Sequence, residues 1–354
     1  MSGIPLVADE LALRSARRAH QPEGMTMIKG DGIRRDIAQV DEDELTAFIN
    51  AIKGLQNRKY PGVRDDFPVG GVSLWFKQDE IHQATHVHGG PEFVPWHREL
   101  CNRFEQLIRS VDPRLSLHYW NWTTDPSALF TPTVMGSKKG DAGEPWLSAG
   151  FYNPTADPYR DDNVFAPEHA NPFDPPRALT RDMTDGVPQL AFKDAEIIAA
   201  PDYHTMRLKL EGSHNDAHGY IGGTIGEPHT SFRDPFVFLL HSNVDRLYAM
   251  WQHADPVTRF DPRTVYGAAD PEDPMWFARR LGPWDGSGRM RPWSAPEFEE
   301  EEKNYLDLSV VTPPQYDTIP PVGNGAATGK KLDDLRHLLE DPAVRQAVRT
   351  LLPA

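Results

Sequence analysis

The chain has 354 residues, enough to bury a sizeable core in one large domain or two. Its 52 acidic against 37 basic side chains leave a formal charge of −15, which on average repels nucleic-acid backbones and anionic membrane surfaces and argues against both as partners. A single cysteine, Cys101, excludes an internal disulfide framework and fits a reducing compartment.

The opening stretch MSGIPLVADELALRSARRAH is broken by Asp9, Glu10 and several arginines, and no apolar run follows Arg17-Arg18, so no export signal is expected. No later run reaches membrane-spanning length, and the expected location is the cytoplasm. In DEDELTAFINAIKGL, Asp41 stands as a cap before a helix whose Leu45, Phe48, Ile49, Ile52 and Leu55 share a face. Around SLWFKQDEIHQATH, Leu74, Ile81 and His82 fall loosely on one stripe. A third helix is predicted from Pro95, a favoured first-turn residue; His97, Leu100, Cys101, Phe104, Leu107, Ile108 and Val111 then recur at three and four, placing His97 and Cys101 on its buried face. From Thr123 to about Pro201 the chain is rich in Pro, Asp, Gly and Asn, which predicts long ordered loops over a helical core.

Further on, LEGSHNDAHGYIGG sets His214 and His218 on one side of a short helix that Gly219, Gly222 and Gly223 end. The fourth long helix starts at Asp234-Pro235 and buries Val237, Leu240, His241, Val244, Leu247, Tyr248 and Trp251. Trp96, Trp120, Trp122 and Trp251 read as core aromatics, and Asp245-Arg246 as a structural ion pair with Arg34 or Arg35 and Asp36. The expected fold is mainly α, a four-helix-bundle core carrying a dinuclear metal site, covered by long loops with little β-structure. Residues 1–311 form the domain, 312–331 a Pro/Gly-rich linker and 332–354 a C-terminal helical segment. That segment docks on the domain by default, the alternatives being a lid over the site or a contact that pairs two copies of the chain.

Helix-borne histidines facing inward pose an energetic problem, because a buried imidazole needs partners for both ring nitrogens. One such residue is ordinarily a satisfied core histidine. Here HVHGGPEFVPWH, positions 86–97, with His82 just before it, and the second block with His214, His218 and His241 together supply seven candidates. Two such blocks point to two metal ions. Imidazole ligands without thiolate or carboxylate suit copper, zinc, iron or nickel, and open histidine-only sites suit redox copper. A zinc hydrolase is the rival reading, but in HNDAH Asn215 stands where the HExxH helix has its glutamate base.

The run His88-Gly89-Gly90-Pro91-Glu92-Phe93-Val94-Pro95-Trp96-His97-Arg98, followed by Tyr119-Trp120-Asn121-Trp122, resembles the first copper block of the tyrosinase and polyphenol oxidase family of type-3 dicopper proteins. The second block resembles its partner: His214-Asn215 and His218 with Ile221-Gly222-Gly223, Asp234-Pro235-Phe236, then His241-Ser242-Asn243-Val244-Asp245-Arg246 and Trp251-Gln252. The resemblance implies that His82, His88 and His97 bind one copper and His214, His218 and His241 the other, with O2 as co-substrate. His86 competes with His82, because the family's first and second ligands are usually separated by a longer loop. Some members carry a thioether cysteine where this chain has His86, and a second histidine where it has Leu240.

The implied activity is that of a copper-dependent oxidase, which hydroxylates monophenols to o-diphenols and oxidises o-diphenols to o-quinones; small phenols are its expected partners. The alternatives are a catechol or o-aminophenol oxidase without the first step, and a haemocyanin-like O2 carrier. Resemblance also assigns Glu211 and Asn215 to orienting a water that deprotonates the phenol, whose ordinary pKa lies near 10. Gly219, beside the second site, has no side chain to narrow the entrance, which leaves room for bulky phenols or o-aminophenols.

Overall fold

The computed structural model describes residues 28–58, 73–85, 87–140, 179–228, 230–260 and 314–319. Among them the helices are α1 (Glu42–Gln56), α2 (Leu74–Thr85), α3 (Phe93–Val111), α4 (Asp194–Ile198), α5 (Tyr203–Ile221), the single turn α6 (Gly223–Gly226) and α7 (Phe236–Ala254). The described residues contain no strand, only the isolated bridges Arg34 to Tyr316 and Asp36 to Tyr119. No helix among them is long and apolar enough to cross a membrane. The fold is helical, as the periodicity predicts.

Glu42, Asp43 and Glu44 in the first turn of α1 and Lys53 in its last complement the helix dipole, while Phe48, Ile49, Ile52 and Leu55 are buried. Asp41 holds the cap position but its side chain makes no cap bond; its backbone carbonyl takes Leu45 N instead. Helix α3 begins at Phe93, ahead of the predicted Pro95. Pro95 still falls within the first turn, where backbone N–H groups have no helical partner to lose. Helix α5 is longer than predicted: it starts at Tyr203, where Asp202 Oδ1 accepts from Thr205 N at 2.7 Å. Gly219 lies inside it, and the helix stops at Gly222, whose φ of +65° is a backbone region few other residues enter. Asp234 opens α7 by accepting from Phe236 N at 2.9 Å and is itself gripped by Arg181 at 2.6 and 2.8 Å.

Helices α3 and α7 pack together, with α1 against the outside of α3, α5 against both, and α2 against the turn Ser231–Arg233. Trp96, Trp120, Trp122, Trp251 and Cys101 are all buried in this core. Of the Thr123 to Pro201 segment, residues 141–178 lie outside the described part. The rest is turns, one short helix and a 3-10 turn (Ser127–Leu129), and Leu179, Met183 and Ile197 are buried.

A buried ionic network ties the domain together. Asp245 on α7 takes Arg34 Nη1 at 2.9 Å and is bonded by Arg98, which also reaches Gln252 Oε1 at 2.8 Å. Arg34 in turn bonds Glu105 at 2.8 Å. Arg34 is thus Asp245's partner as expected, whereas Arg35 pairs with Asp31 and Arg246 goes to Asn243 and Asp194. The Tyr316 hydroxyl lies 3.0 Å from Arg34 Nη1 and 2.7 Å from Asp245 Oδ2, and Arg34 N donates to Gln315 O. Residues 314–319, read from sequence as linker, are therefore packed into the domain, with Tyr316 and Ile319 buried. A proline-rich composition marks extended backbone, and here the extended backbone is docked. The rest of the linker and the C-terminal segment, 320–354, lie outside the described residues.

Removing one partner of a buried ion cluster strands the other, at a cost of about 3–5 kcal/mol. Asp245→Ala, which leaves Arg34 and Arg98 facing each other, is expected to destabilise the chain by about that much in urea unfolding; a loss below about 1 kcal/mol, the range of an exposed pair, would show the network to be incidental.

Candidate metal centre

His82 comes from α2, His97 from α3, His214 and His218 from α5 and His241 from α7; His88 stands on the turn between α2 and α3. The structure gathers these six into two groups, His82/His88/His97 and His214/His218/His241, with the ring nitrogens of each group within 4.8 Å of one another. His86 lies outside the described residues. The two groups face each other: His97 stacks on His241 with centroids 4.7 Å apart and rings 10° from parallel, and His88 is 6.3 Å from His214. His82, His97, His214 and His241 have almost no exposed surface.

Backbone carbonyls set the direction in which these rings point. His97 Nδ1 lies 2.7 Å from Phe93 O, His241 Nδ1 2.9 Å from Val237 O, and His218 Nδ1 2.6 Å from Ile225 O. A carbonyl only accepts, so each Nδ1 carries the proton and each Nε2 keeps its lone pair for the interior. For His97 and His241 the carbonyl is that of the residue one helical turn earlier. His214 Nδ1 is 3.0 Å from Asn215 Oδ1, which fixes the fourth ring in the same sense.

The consequence is a buried cluster of electron pairs. His97 Nε2 and His218 Nε2 have no hydrogen-bond partner, and His214 Nε2 lies 3.0 Å from His241 Nε2. Burial, and then the neighbouring histidines, push His97, His214 and His241 well below the ordinary imidazole pKa, while burial brings His218 to about 4. Protons are therefore not what neutralises the facing lone pairs near pH 7. A cation fits where they converge, and neutral imidazoles are what a transition metal requires.

Two aromatic rings wall the centre that the sequence gives little reason to single out. Phe93 packs 4.7 Å from His97 and 4.9 Å from His214, and Phe232 packs 4.3 Å from His82 and 4.9 Å from His241. Phe93 stands one helical turn before His97, a detectable signal; Phe232 sits on an irregular turn and has none. On the open side, Asn215 and Gly219 are exposed, and a Cβ at Gly219 would meet nothing within 4 Å. Glu211 is buried with both oxygens engaged: Oε1 accepts from Gly89 N at 2.6 Å and Oε2 from Arg207 Nη1 at 2.8 Å.

A helix bundle that presents two opposed histidine triads defines the class: a dinuclear metal-binding protein. The model of the common central domain of tyrosinase matches residues 71–254, and the chain belongs to the tyrosinase family of type-3 dicopper proteins. Among its relatives, grixazone synthase from Streptomyces griseus is 26% identical over 301 residues, covering 71% of this chain and 93% of that one. Hemocyanin 2 from Megathura crenulata is 28% identical over 298 residues, covering 78% of this chain but 8% of that much longer protein. The solved tyrosinase from Burkholderia thailandensis superposes with a TM-score of 0.53 at 15% identity, over 85% of this chain and 76% of that one, a likeness of fold.

The depressed histidines predict how the metal-free chain responds to acid. Unfolded imidazoles take up protons below about pH 6.5, while the folded centre refuses them down to about pH 4 at His218. Their contribution to stability is whole above the unfolded pKa and is lost as pH falls through this window. The melting temperature of the metal-free chain should hold steady from pH 8 to 7 and drop progressively from pH 6.5 to 4.5; a flat profile there would show the rings to be solvated.

Proposed function

We propose that His82, His88 and His97 hold one copper ion and His214, His218 and His241 a second, and that the protein is a phenol oxidase. It hydroxylates monophenols to o-diphenols and oxidises o-diphenols to o-quinones. The reading rests on one observation above all: the two triads face each other across a space whose Nε2 lone pairs call for cations. Family membership supports copper as those cations. When bound, such a pair supplies two-electron redox chemistry, so that one O2 takes the four electrons of two catechols, leaving two quinones and two waters.

The chain's own part is binding, orientation and exclusion of water. Phe93 and Phe232 close the inner side of the centre with carbon, which keeps bulk solvent from the ligands. The exposed rim of Asn215 and Gly219 is where a planar phenol enters, and the missing side chain at Gly219 leaves space for a bulky ring or an o-amino group. At pH 7 only about one phenol in a thousand is ionised, so hydroxylation needs a proton acceptor at the rim. Asn215, held against His214 and reaching solvent, orients a water for that purpose.

One observation favours a second reading, a catechol or o-aminophenol oxidase that lacks the monophenol step. Glu211, the other group assigned to that water, has its carboxylate bound to Gly89 N and Arg207. Both readings are separated from an O2 carrier by oxygen uptake. Tyrosine, catechol and o-aminophenol should each drive uptake by the copper-loaded protein: catechol and o-aminophenol without tyrosine would establish the second reading, and reversible O2 binding with no product from any of them would establish the carrier. Asn215→Ala should lower tyrosine turnover about ten-fold or more and catechol turnover far less, within the usual reach of proton-transfer groups; equal losses would remove Asn215 from the proton step.

A further inference from the structure

Tyr203, Arg207 and Glu211 stand at four-residue intervals on α5, all with exposure of 8% or less, and so form one buried polar ridge. That ridge faces the turn between α2 and α3. The Tyr203 hydroxyl donates to Pro91 O, Glu211 Oε1 accepts from Gly89 N at 2.6 Å, and Arg207 Nη1 holds Glu211 Oε2 at 2.8 Å. Gly89 adopts φ +72°, a backbone region that suits glycine, in the stretch whose N–H meets the carboxylate. Between and beside these two anchor points the turn carries His88. It is the one member of its triad that no helix holds.

We infer that the Tyr203–Arg207–Glu211 ridge is the positioning device for His88, fixing the first metal site from the helix that carries two ligands of the second. His82 and His97 are set by the packing of α2 and α3, and His97 is also oriented by Phe93 O. For His88 the corresponding restraint is on the backbone: the carboxylate of Glu211 grips the peptide N–H directly after it. Arg207 Nη1 holds the other carboxylate oxygen and so keeps Oε1 pointed at Gly89, and Tyr203 closes the far end of the turn. Two sites that are separate in sequence therefore share one strut, so loosening the strut weakens the first site while His214, His218 and His241 keep their own contacts. The two anchor bonds are distinct from the water-orienting role, which would place Glu211 on the substrate rather than on the ligand turn.

The inference rests on the copper reading, and copper titration of the full chain against a competing chelator tests both separately. The wild-type chain should take up two coppers. Glu211→Ala should keep one copper at wild-type affinity and bind the other about ten- to hundred-fold more weakly, the usual effect of removing a group that orients a ligand. Glu211→Gln, which retains an oxygen for Gly89 N, should recover most of that affinity, and Tyr203→Phe should give a smaller loss at the same site. Melting of the metal-free variants identifies the folded ones; if Glu211→Ala does not fold, Tyr203→Phe alone carries the test. A folded variant that binds both coppers as tightly as the wild-type chain, or weakens both equally, overturns the inference, as does Glu211→Gln failing to improve on Glu211→Ala. A wild-type chain that takes up fewer than two coppers overturns the copper reading and this inference with it.

Discussion

Six imidazoles converge inside a helical core, four of them with Nδ1 tied down and Nε2 turned inward, and the rest of the molecule is arranged to hold them there. Left to itself such a cluster is unfavourable: His97, His214 and His241 are desolvated, the Nε2 atoms of His97 and His218 have no hydrogen-bond partner, and His214 Nε2 lies 3.0 Å from His241 Nε2 in rings that burial keeps uncharged near pH 7. The folded state tolerates this because the unfavourable term is confined to one place and opposed by packing everywhere around it. Bound metal ions turn the same geometry into a source of stability, since they bind the folded chain and not the unfolded one.

Three kinds of restraint act on the ligands. Helix packing sets the positions of His82, His97, His214, His218 and His241; backbone carbonyls and one amide set the ring orientations of four of them; and the polar ridge of α5 sets the turn that carries His88. Beneath α7 the Arg34–Asp245–Arg98 network plays a coarser part, locking α3 and α7 to the segments around Arg34 and Tyr316. The restraints are unequal in precision. Packing locates a helix to within a side chain's width, whereas a bidentate carboxylate or a carbonyl at 2.7 Å fixes an atom.

Much of this was legible in the residues. The recurrence of apolar positions around His97 and His241 identifies two buried helix faces, and the four-residue step from His214 to His218 puts two rings on one side of a third helix. His82, His88 and His97 lie together, as do His214, His218 and His241, while the competitor His86 lies outside the described residues. What escaped was set by tertiary contact rather than local pattern. The start of α5 at Tyr203 lies in a stretch with weak apolar periodicity, because inward residues such as Arg207 and Glu211 are polar, Glu211 being satisfied by the His88 turn and Arg207 by Glu211. Composition made 312–331 look like a linker, yet Tyr316 is buried by an arginine and an aspartate that are far away in sequence. Phe232 walls the centre from an irregular turn that has no period to read.

The central claim is spatial, so the most direct measurement locates the metal. Crystals of the copper-loaded chain, measured on both sides of the copper absorption edge, should show two anomalous peaks. One should lie among His82, His88 and His97 and the other among His214, His218 and His241. A single peak, or copper bound away from these rings, would contradict the account.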